Sequence, residues 1–164
     1  MSEATWPGPV ERVAAFLRSA GAEARLEELG ADGSTAAAAA EAIGCRLEQI
    51  VKTLVLLCDD EPVVALVPGD RRGDTRKVAA AAGARRARIA RPEEVTAITG
   101  FEPGAVAPFP LVRVRRVLVD SSLLVHRLVW VGAGSPRHLA ALAPTELLRL
   151  TRGEPHDVSQ DENS

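Results

Sequence analysis

Residues 49–57 read QIVKTLVLL and residues 62–70 read PVVALVPGD, and these two apolar runs decide the fold. The turn residues DDEP (59–62) lie between them, so the pair predicts a β-hairpin. Along the first run both faces of the strand are apolar, which favours a central strand that is covered on each side. One cation, Lys52, stands near the start of this strand.

Lys52 is unusual for this chain, which has 20 basic residues but only two lysines. Arginine is planar and effectively always charged, whereas lysine carries a compact charge that responds to desolvation. A lysine kept on an apolar strand therefore favours a polar cavity with an anionic partner, such as the phosphate or carboxylate of a substrate. The alternative is a strand-end lysine whose stem covers apolar surface while its ammonium reaches water. The strand position alone leaves both interpretations open.

Helices and further strands are interleaved with the hairpin along the chain. Apolar spacing, capping residues and glycines predict helices over residues 10–20, 34–44, 75–82, 91–100 and 144–151. Runs of apolar and β-branched residues predict strands over residues 84–90, 112–120, 128–134 and 138–142. Because the order includes a hairpin, we expect a mixed sheet in an α/β (α+β) fold. No linker or internal repeat divides the chain, so we expect one domain over residues 1–153 and a disordered acidic tail over residues 154–164.

The composition is typical of a folded protein without a metal, a cofactor or a membrane segment. Apolar residues make up 46% and charged residues 26% of the 164 residues, so wholesale disorder is excluded. Cys45 and Cys58 show no metal-binding or disulfide pattern, and we expect two small buried hydrophobes. Residues 1–13 lack the basic start and the apolar run of a signal peptide, so we expect a cytoplasmic protein. The GAGSP segment (132–136) lacks the spacing of a dinucleotide fingerprint.

The net charge of −2 hides an uneven distribution. Residues 71–91 hold eight basic residues against one acid, whereas residues 154–164 hold four acids and no lysine or arginine. The basic stretch is either a solvated face or a local surface that binds phosphates. With two Trp, three Phe and no Tyr in the chain, a platform that stacks successive bases on aromatic rings is disfavoured.

A stiff loop follows the fourth predicted helix, because residues 101–110 read FEPGAVAPFP and contain three prolines. Gly104 and Pro108 form a GxxxP pattern within it. Glycine lets a ligand approach the backbone closely, so such a loop can present N–H groups to a developing oxyanion. The same pattern also occurs in ordinary proline-rich turns.

Several of these segments, taken in order, resemble the YbaK/prolyl-tRNA synthetase editing-domain family. The resemblance extends from about residue 36 to residue 131 and rests on IGCRLEQIVKTLVLL (43–57), VPGD (67–70), PEEVTAITGFEPGAVAP (92–108) and VLVDSSLL (117–124). It implies a mixed, strongly curved β-sheet surrounded by helices. It also implies an aminoacyl-tRNA deacylase, which is a hydrolase that removes the amino acid from wrongly charged tRNA.

The resemblance further implies the residues of a candidate site. Lys52 matches a lysine that holds the tRNA 3′ end and supports the charge formed at the ester. Gly104 matches the start of the GxxxP loop, whose N–H groups polarise the substrate carbonyl. The implied substrate-binding residues are Thr53, Gly69, Asp70, Phe101, Ala105, Val106, Pro108, Asp120 and His138. At His138 the local pattern departs from the family, and the alternative there is a surface strand residue.

The resemblance implies hydrolysis, in trans, of the ester on a mischarged tRNA, with proline tRNA carrying Ala, Cys or Ser as the implied substrate. No Ser-His-Asp set or activated cysteine is visible, which favours attack by water or by a group of the substrate itself. The arginines expected to bind the tRNA are Arg71, Arg72, Arg76, Arg85 and Arg86.

We expect a monomer that needs no metal or cofactor, with the tRNA acceptor 3′ end as its partner and an aminoacyl-tRNA synthetase as a second candidate partner. Two alternatives remain open from the residues. One is a non-catalytic module that binds an aminoacyl or nucleotide ligand in the same pocket. The other is an enzyme that uses Lys52 as a Schiff-base nucleophile.

Overall fold

The structure is a computed structural model that describes residues 6–162. The helices are α1 (Gly8–Ser19), α2 (Ala36–Ile43), α3 (Thr75–Ala82), α4 (Pro92–Thr99) and α5 (Pro144–Thr151), with two short 3-10 helices at Leu47–Gln49 and Ser121–Val125. The strands are β1 (Ala24–Glu28), β2 (Val51–Cys58), β3 (Glu61–Pro68), β4 (Arg71–Gly73), β5 (Ala87–Ile89), β6 (Arg116–Asp120), β7 (Val129–Ser135), β8 (His138–Leu142), β9 (Glu154–His156) and β10 (Ser159–Asp161). In this part of the chain, no helix has the length and apolarity needed to span a membrane.

The predicted hairpin is confirmed and forms the centre of a five-stranded sheet. β2 and β3 pair antiparallel from Val51↔Pro68 to Cys58↔Glu61. β6 pairs parallel with β3, β9 pairs parallel with β6, and β5 pairs antiparallel with β2, which gives the order β5-β2-β3-β6-β9. The sheet is therefore mixed, as the strand order predicted.

A three-stranded antiparallel sheet, β1-β8-β7, is joined to the first sheet by an isolated parallel bridge between Ile50 and Trp130. The register of β7 shifts between Gly132 and Ser135, which marks a β-bulge. The sequence analysis did not predict β1. This strand pairs only with β8, and its charged residues are typical of an edge strand.

Both faces of β2 are covered, as its apolar pattern predicted. On one face Val51 and Val55 belong to a buried cluster that includes Phe101 and Val131. On the other face Leu56 packs in a second cluster with residues from β3, α3 and β6. The two clusters place the GxxxP loop and β7 on one side of the sheet, and α3 on the other.

The C-terminal segment differs from the prediction. Residues 154–161 form β9 and β10 instead of a disordered tail, and Val158 between the strands is fully buried. The acids of this segment find their cations elsewhere in the chain, since Asp157 pairs with Lys77 (3.0 Å) and Asp161 pairs with Arg71 (2.7 Å). A segment that looks solvated by its own composition is thus held by long-range packing and ion pairs. Residues 1–5 of the predicted domain and residues 163–164 of the predicted tail lie outside the described residues.

Candidate active site

A cavity of about 380 Å³ opens where the start of β2 meets the N-terminus of α2, the GxxxP loop and β7. β5 pairs with β2 only over Leu56–Cys58. In the described part of the chain, the edge of β2 near Lys52 therefore has no neighbouring strand on that side. The cavity wall consists of Gly33, Ser34, Thr35, Ala36, Ala39, Ile50, Val51, Lys52, Thr53, Leu54, Gly104, Val106, Gly132, Ser135 and Leu139.

Lys52 lies on this wall with 26% of its side chain exposed. Its Nζ donates a hydrogen bond to the carbonyl oxygen of Arg71 and lies 3.9 Å from the carboxylate of Glu162. An ammonium has three N–H donors, so donor capacity remains for a ligand. Lys52 lies on the same face of β2 as Leu54, which is the face that packs against α3. It contacts the cavity at the edge of β2 that has no neighbouring strand.

Thr53 points to the opposite face of β2, towards the GxxxP loop and β7. It lies on the cavity wall, and its Oγ1 is buried without a hydrogen-bond partner among residues 6–162. A buried hydroxyl without a partner costs free energy. The Thr53 hydroxyl is therefore a candidate contact for a ligand in the cavity.

The GxxxP loop brings two amides to the cavity wall. Gly104 and Val106 both lie there, and in the described chain neither amide donates a hydrogen bond to the protein. The amide of Ala105 between them is occupied, because it donates to the carbonyl of Glu102 (3.0 Å), and Ala105 is buried away from the wall. Gly104 has a φ of +83°, and a Cβ there would lie 3.3 Å from the Cβ of Ser34. Glycine therefore suits both the backbone conformation and the close approach.

The N-terminus of α2 contributes residues 33–36 to the wall, which the sequence analysis did not predict. Ser34-Thr35 marks the start of the helix predicted over residues 34–44, and Thr35 caps it by accepting a hydrogen bond from the amide of Ala38 (3.1 Å). A helix N-terminus carries a positive partial charge and often faces an anion. The capping residues at 34–35 were therefore the sequence signal from which this part of the cavity wall could have been predicted.

Ser135 brings a hydroxyl to the wall from the bulge of β7. Its Oγ lies 2.5 Å from Nδ1 of His138 and accepts a hydrogen bond from the amide of Arg137 (3.0 Å). His138 is buried, with its ring edge-on to Trp6 at a centroid distance of 5.4 Å. The interpretation of His138 as a surface residue is therefore wrong, and its side chain lies behind Ser135 rather than on the wall. Ser135 was missed because the GAGSP segment was compared only with dinucleotide-binding motifs.

Phe101, Pro108 and Asp120 are buried but do not lie on the cavity wall. The two oxygens of the Asp120 carboxylate are already occupied, because they accept hydrogen bonds from the amides of Ser122 (3.3 Å) and Val158 (3.0 Å). Asp120 therefore fixes the second 3-10 helix and the C-terminal segment. Asp120 thus lies outside the cavity wall, and a substrate contact at Asp120 stays a prediction.

Gly69 and Asp70 form the turn between β3 and β4 and are also absent from the wall. The amide of Gly69 donates to the carbonyl of Ile50 (2.7 Å), and a Cβ at Gly69 would lie 2.5 Å from the carbonyl oxygen of Leu47. A side chain at Gly69 would therefore displace the segment that leads into β2. Gly69 shapes the site indirectly, through the start of the strand that carries Lys52.

Arg71 is partly occupied by the C-terminal segment. Its guanidinium donates to Ser159 Oγ (2.6 Å) and to the carboxylate of Asp161 (2.7 Å). Lys77, the other lysine of the chain, is occupied in the same way by Asp157. These two cations of the basic stretch therefore already have anionic or polar partners within the fold.

The other four predicted arginines, Arg72, Arg76, Arg85 and Arg86, are exposed. Arg72 and Arg76 lie beside Lys52, and their guanidinium groups form no hydrogen bond or ion pair with any described residue. Arg85 and Arg86 lie beyond the C-terminus of α3, a helix of 8 residues that spans about 12 Å. The structure thus separates one arginine pair near Lys52 from another about one helix length away.

Elsewhere in the basic stretch the charge is compensated locally. The Glu94 carboxylate accepts hydrogen bonds from Arg88 (2.8 and 2.9 Å) and from the amide of Arg91 (2.8 Å). The hydrogen bond from Arg88, followed by that from Arg91, lowers the pKa of Glu94 to about 2. The charge available to a polyanion is therefore smaller than the eight basic residues suggest.

Comparison with known proteins identifies the family. A model of the aminoacyl-tRNA editing domain matches residues 31–150. A crystal structure of a candidate trans-editing enzyme for prolyl-tRNA synthetase has a TM-score of 0.88 and 34% identity, and the match covers 95% of this chain and 99% of that one. The mixed α/β fold implied by the resemblance is thereby confirmed.

Two curated relatives show different coverage. A candidate Cys-tRNA(Pro)/Cys-tRNA(Cys) deacylase from Enterococcus faecalis is 28% identical over 132 residues, which are 80% of each chain. A proline–tRNA ligase from Nitratidesulfovibrio vulgaris is 41% identical over 81 residues, so the match spans 49% of this chain but only 14% of the ligase. Because the family model matches most of the sequence and the fold agrees over nearly its whole length, the chain belongs to the aminoacyl-tRNA editing domain family.

Proposed function

We propose that this protein hydrolyses the ester between an amino acid and the 3′-terminal adenosine of a mischarged tRNA, acting in trans on proline tRNA that carries Ala, Cys or Ser. The observation that carries this proposal is that Lys52 and the free amides of Gly104 and Val106 line one cavity. The relatives described as a candidate deacylase and a candidate trans-editing enzyme support the same class of reaction.

The amides of Gly104 and Val106 would stabilise the oxyanion. An attacking oxygen adds to the ester carbonyl carbon, the carbonyl π bond opens, and its electron pair resides on the carbonyl oxygen. The carbonyl then re-forms as the bond to the ribose oxygen breaks, and that oxygen takes the proton that the attacking water gives up. Removal of one oxyanion donor typically costs about 10²–10³-fold in kcat, so two such amides can supply a large part of the acceleration.

Lys52 would hold the polar end of the substrate. Its ammonium is oriented by the carbonyl of Arg71 and lies near the carboxylate of Glu162. A phosphate or a developing alkoxide of the substrate would replace Glu162 as the anionic partner. A compact ammonium suits this exchange, because its three donors are not confined to one plane.

The acyl group would lie deeper, against Thr53 and Ser135. The volume of about 380 Å³ is at the lower end of the range for ligand pockets, which is about 300–1,000 Å³. A site of this size favours small acyl groups such as Ala, Cys and Ser. The buried Oγ1 of Thr53, which has no partner among the described residues, would gain a hydrogen bond to the bound aminoacyl group.

Water would be the attacking group, and a hydroxyl of the terminal ribose would help to orient it, because attack by that hydroxyl itself would only move the acyl group to another ribose oxygen. Within the described residues, the cavity wall carries no acidic, histidine or cysteine side chain. Ser135 does have an imidazole beside it, but no described carboxylate bonds to His138 to complete a triad. The site therefore supports catalysis by positioning and charge stabilisation rather than through a protein nucleophile.

The test compares the two lysines of the chain on a panel of mischarged tRNAs. Lys52→Ala should lower kcat/KM by at least about 10²-fold while retaining the fold. Lys77→Ala is the matched control, because Lys77 lies outside the cavity and is paired with Asp157. Wild-type turnover by the Lys52 variant on every tRNA would overturn the proposal. Binding of mischarged tRNA by the wild type without any turnover would instead indicate a non-catalytic binding module.

Arg72 and Arg76 would anchor the tRNA backbone near the cavity. Affinity for tRNA should therefore fall as salt rises, and the slope of log K against log salt should become shallower by about 0.7–0.9 with each change to Gln. Arg18→Gln is the control, because Arg18 lies in α1 and pairs with Glu11 (2.6 Å), and it should leave the slope unchanged. Equal slopes for the wild type and an Arg72→Gln, Arg76→Gln double variant would exclude these contacts.

A further inference from the structure

A second cavity of about 600 Å³ adjoins the first one at Lys52. Lys52 and Leu54 line both cavities. The second cavity lies on the α3 side of β2, whereas the GxxxP loop lies on the other side. A ligand chain that leaves the first cavity past Lys52 therefore enters the second one directly.

The floor of the second cavity is apolar and open. Ile89 is a large apolar residue with 52% exposure, and Leu54 lies beside it on the wall. The short strand β5 ends at Ile89, opposite Leu56, so the edge of β2 before that point is left uncovered. Gly73 allows β4 to approach this floor, because a Cβ there would lie 2.5 Å from Cδ1 of Leu54. An exposed apolar floor of this kind offers a hydrophobic contact surface to a flat ring.

The rim of the second cavity is cationic on balance, because its charged residues are three bases (Lys52, Arg72 and Arg76) and one acid (Asp74). Arg72 and Arg76 lie on it, and neither guanidinium has a partner among residues 6–162. The N-terminus of α3 is not the source of the attraction, because the Asp74 carboxylate already accepts from the amides of Arg76 (3.0 Å) and Lys77 (3.2 Å). Gln160 of β10 adds an amide side chain that can both donate and accept. The rim thus suits an anion, and the floor suits an apolar face.

We propose that this second cavity binds the nucleotide that precedes the aminoacylated terminal adenosine. Its base lies on Ile89 and Leu54, the phosphate that links it to the adenosine lies between the guanidinium groups of Arg72 and Arg76, and Gln160 faces the base edge. Contact of a base face with aliphatic side chains removes apolar surface from water and does not depend on which base is present. This inference rests on the proposed function, because it takes the substrate to be the 3′ end of a tRNA.

Esters of increasing length test the proposal. The probes are alanyl-adenosine and the alanyl ester of cytidylyl-(3′→5′)-adenosine, each with the wild type, Ile89→Ala and the surface control Val125→Ala. The wild type and the control should hydrolyse the dinucleotide ester with a kcat/KM about tenfold above that of the nucleoside ester, as expected if the base covers about 50 Å² of apolar surface. Ile89→Ala should reduce this advantage to about twofold or less without changing hydrolysis of the nucleoside ester. When the wild type hydrolyses both esters, a full advantage in Ile89→Ala, or no advantage in the wild type, would overturn the inference.

Binding of the free dinucleotide provides a second readout that does not depend on turnover. Cytidylyl-(3′→5′)-adenosine should bind the wild type about tenfold more tightly than adenosine does, and Ile89→Ala and Arg76→Gln should each remove most of this difference. If the wild type binds the dinucleotide in this way but hydrolyses neither ester, the proposed function fails while the nucleotide site stands. If hydrolysis occurs but the two compounds bind equally, the nucleotide site fails alone.

Discussion

At Gly132, the addition of one methyl group should lower the activity while the protein still folds. It lies on the cavity wall in β7, directly against the loop that carries Gly104. A Cβ at Gly132 would lie 2.5 Å from the carbonyl oxygen of Val106. Gly132→Ala therefore pushes on the backbone next to one of the two free amides, without removing any polar group of the site.

The size of the effect follows from this geometry. An ordinary contact needs about 3.4 Å, so the loop at Val106 must shift by about 0.9 Å to accept the methyl group. A misplacement of about 1 Å in a catalytic constellation costs about 10²-fold in rate. The strain of inserting a methyl group into a packed contact is about 1–3 kcal/mol in the free energy of unfolding. We therefore expect a folded variant with kcat/KM lower by about 10²-fold.

The assay measures kcat/KM for hydrolysis of a mischarged proline tRNA, alongside the free energy of unfolding in urea. Gly30→Ala is the matched control, because a Cβ there meets no atom within 4 Å and its φ is not in the left-handed region. The control should retain activity and stability. If Gly132→Ala folds and keeps kcat/KM within about twofold of the wild type, the loop amides do not position the substrate.

Three further predictions concern Ser135 on the cavity wall, the packing of the C-terminal segment, and the dependence of stability on pH. Ser135→Ala should lower kcat/KM by about tenfold, as expected for one lost hydrogen bond; a far larger loss, with an acyl adduct on Ser135 in the wild-type mass spectrum, would make Ser135 the nucleophile. Val158→Ala should lower the free energy of unfolding by about 2 kcal/mol, since the side chain is fully buried. Val112→Ala, at 93% exposure, should change it by less than about 0.5 kcal/mol, and equal effects of the two changes would mean that the segment does not pack. The hydrogen bond from Arg149 lowers the pKa of Glu146 to about 2 from 4.5, so its contribution of roughly 1 kcal/mol is complete above pH 4.5 and is lost as the pH falls towards 2. The difference in stability between the wild type and Glu146→Gln should therefore shrink over that range, and a constant difference would contradict the assignment.

The centre of the fold was predictable because its signals are local. The hairpin needs only two apolar runs and a turn, and the register observed from Val51↔Pro68 to Cys58↔Glu61 follows from joining them tightly. Helices such as α4, with a proline at its start and Gly100 at its end, carry their boundaries in their own sequence. The position of Lys52 at the start of a strand was predictable for the same reason, because the apolar run around it is a local pattern. The GxxxP loop was predictable as stiff and irregular for the same reason.

What escaped prediction depends on contacts between distant residues. Asp120 is polar and stands at a strand end, yet its carboxylate is occupied by the amide of Val158, 38 residues later. His138 follows Pro136 and Arg137 at the start of a strand, where a surface residue is expected, but its ring lies edge-on to Trp6 and is buried. The acids at 157 and 161 have no lysine or arginine beside them in sequence, because their cations lie some 80 to 90 residues earlier in the chain. In each case the decisive partner is a side chain or an amide that no local pattern reveals.

The position of Lys52 explains why a chain that otherwise relies on arginine keeps a lysine there. Its ammonium borders two cavities on opposite faces of β2 and is also bonded to the carbonyl of Arg71. A guanidinium presents its donors in one plane and in a fixed fork, so it cannot serve partners on both faces of a strand from one point. An ammonium directs its three donors around a single atom, and one of them is already committed. The remaining donors suit a substrate whose acyl end and nucleotide end lie on different sides of the same strand edge, which is the path that the two cavities define.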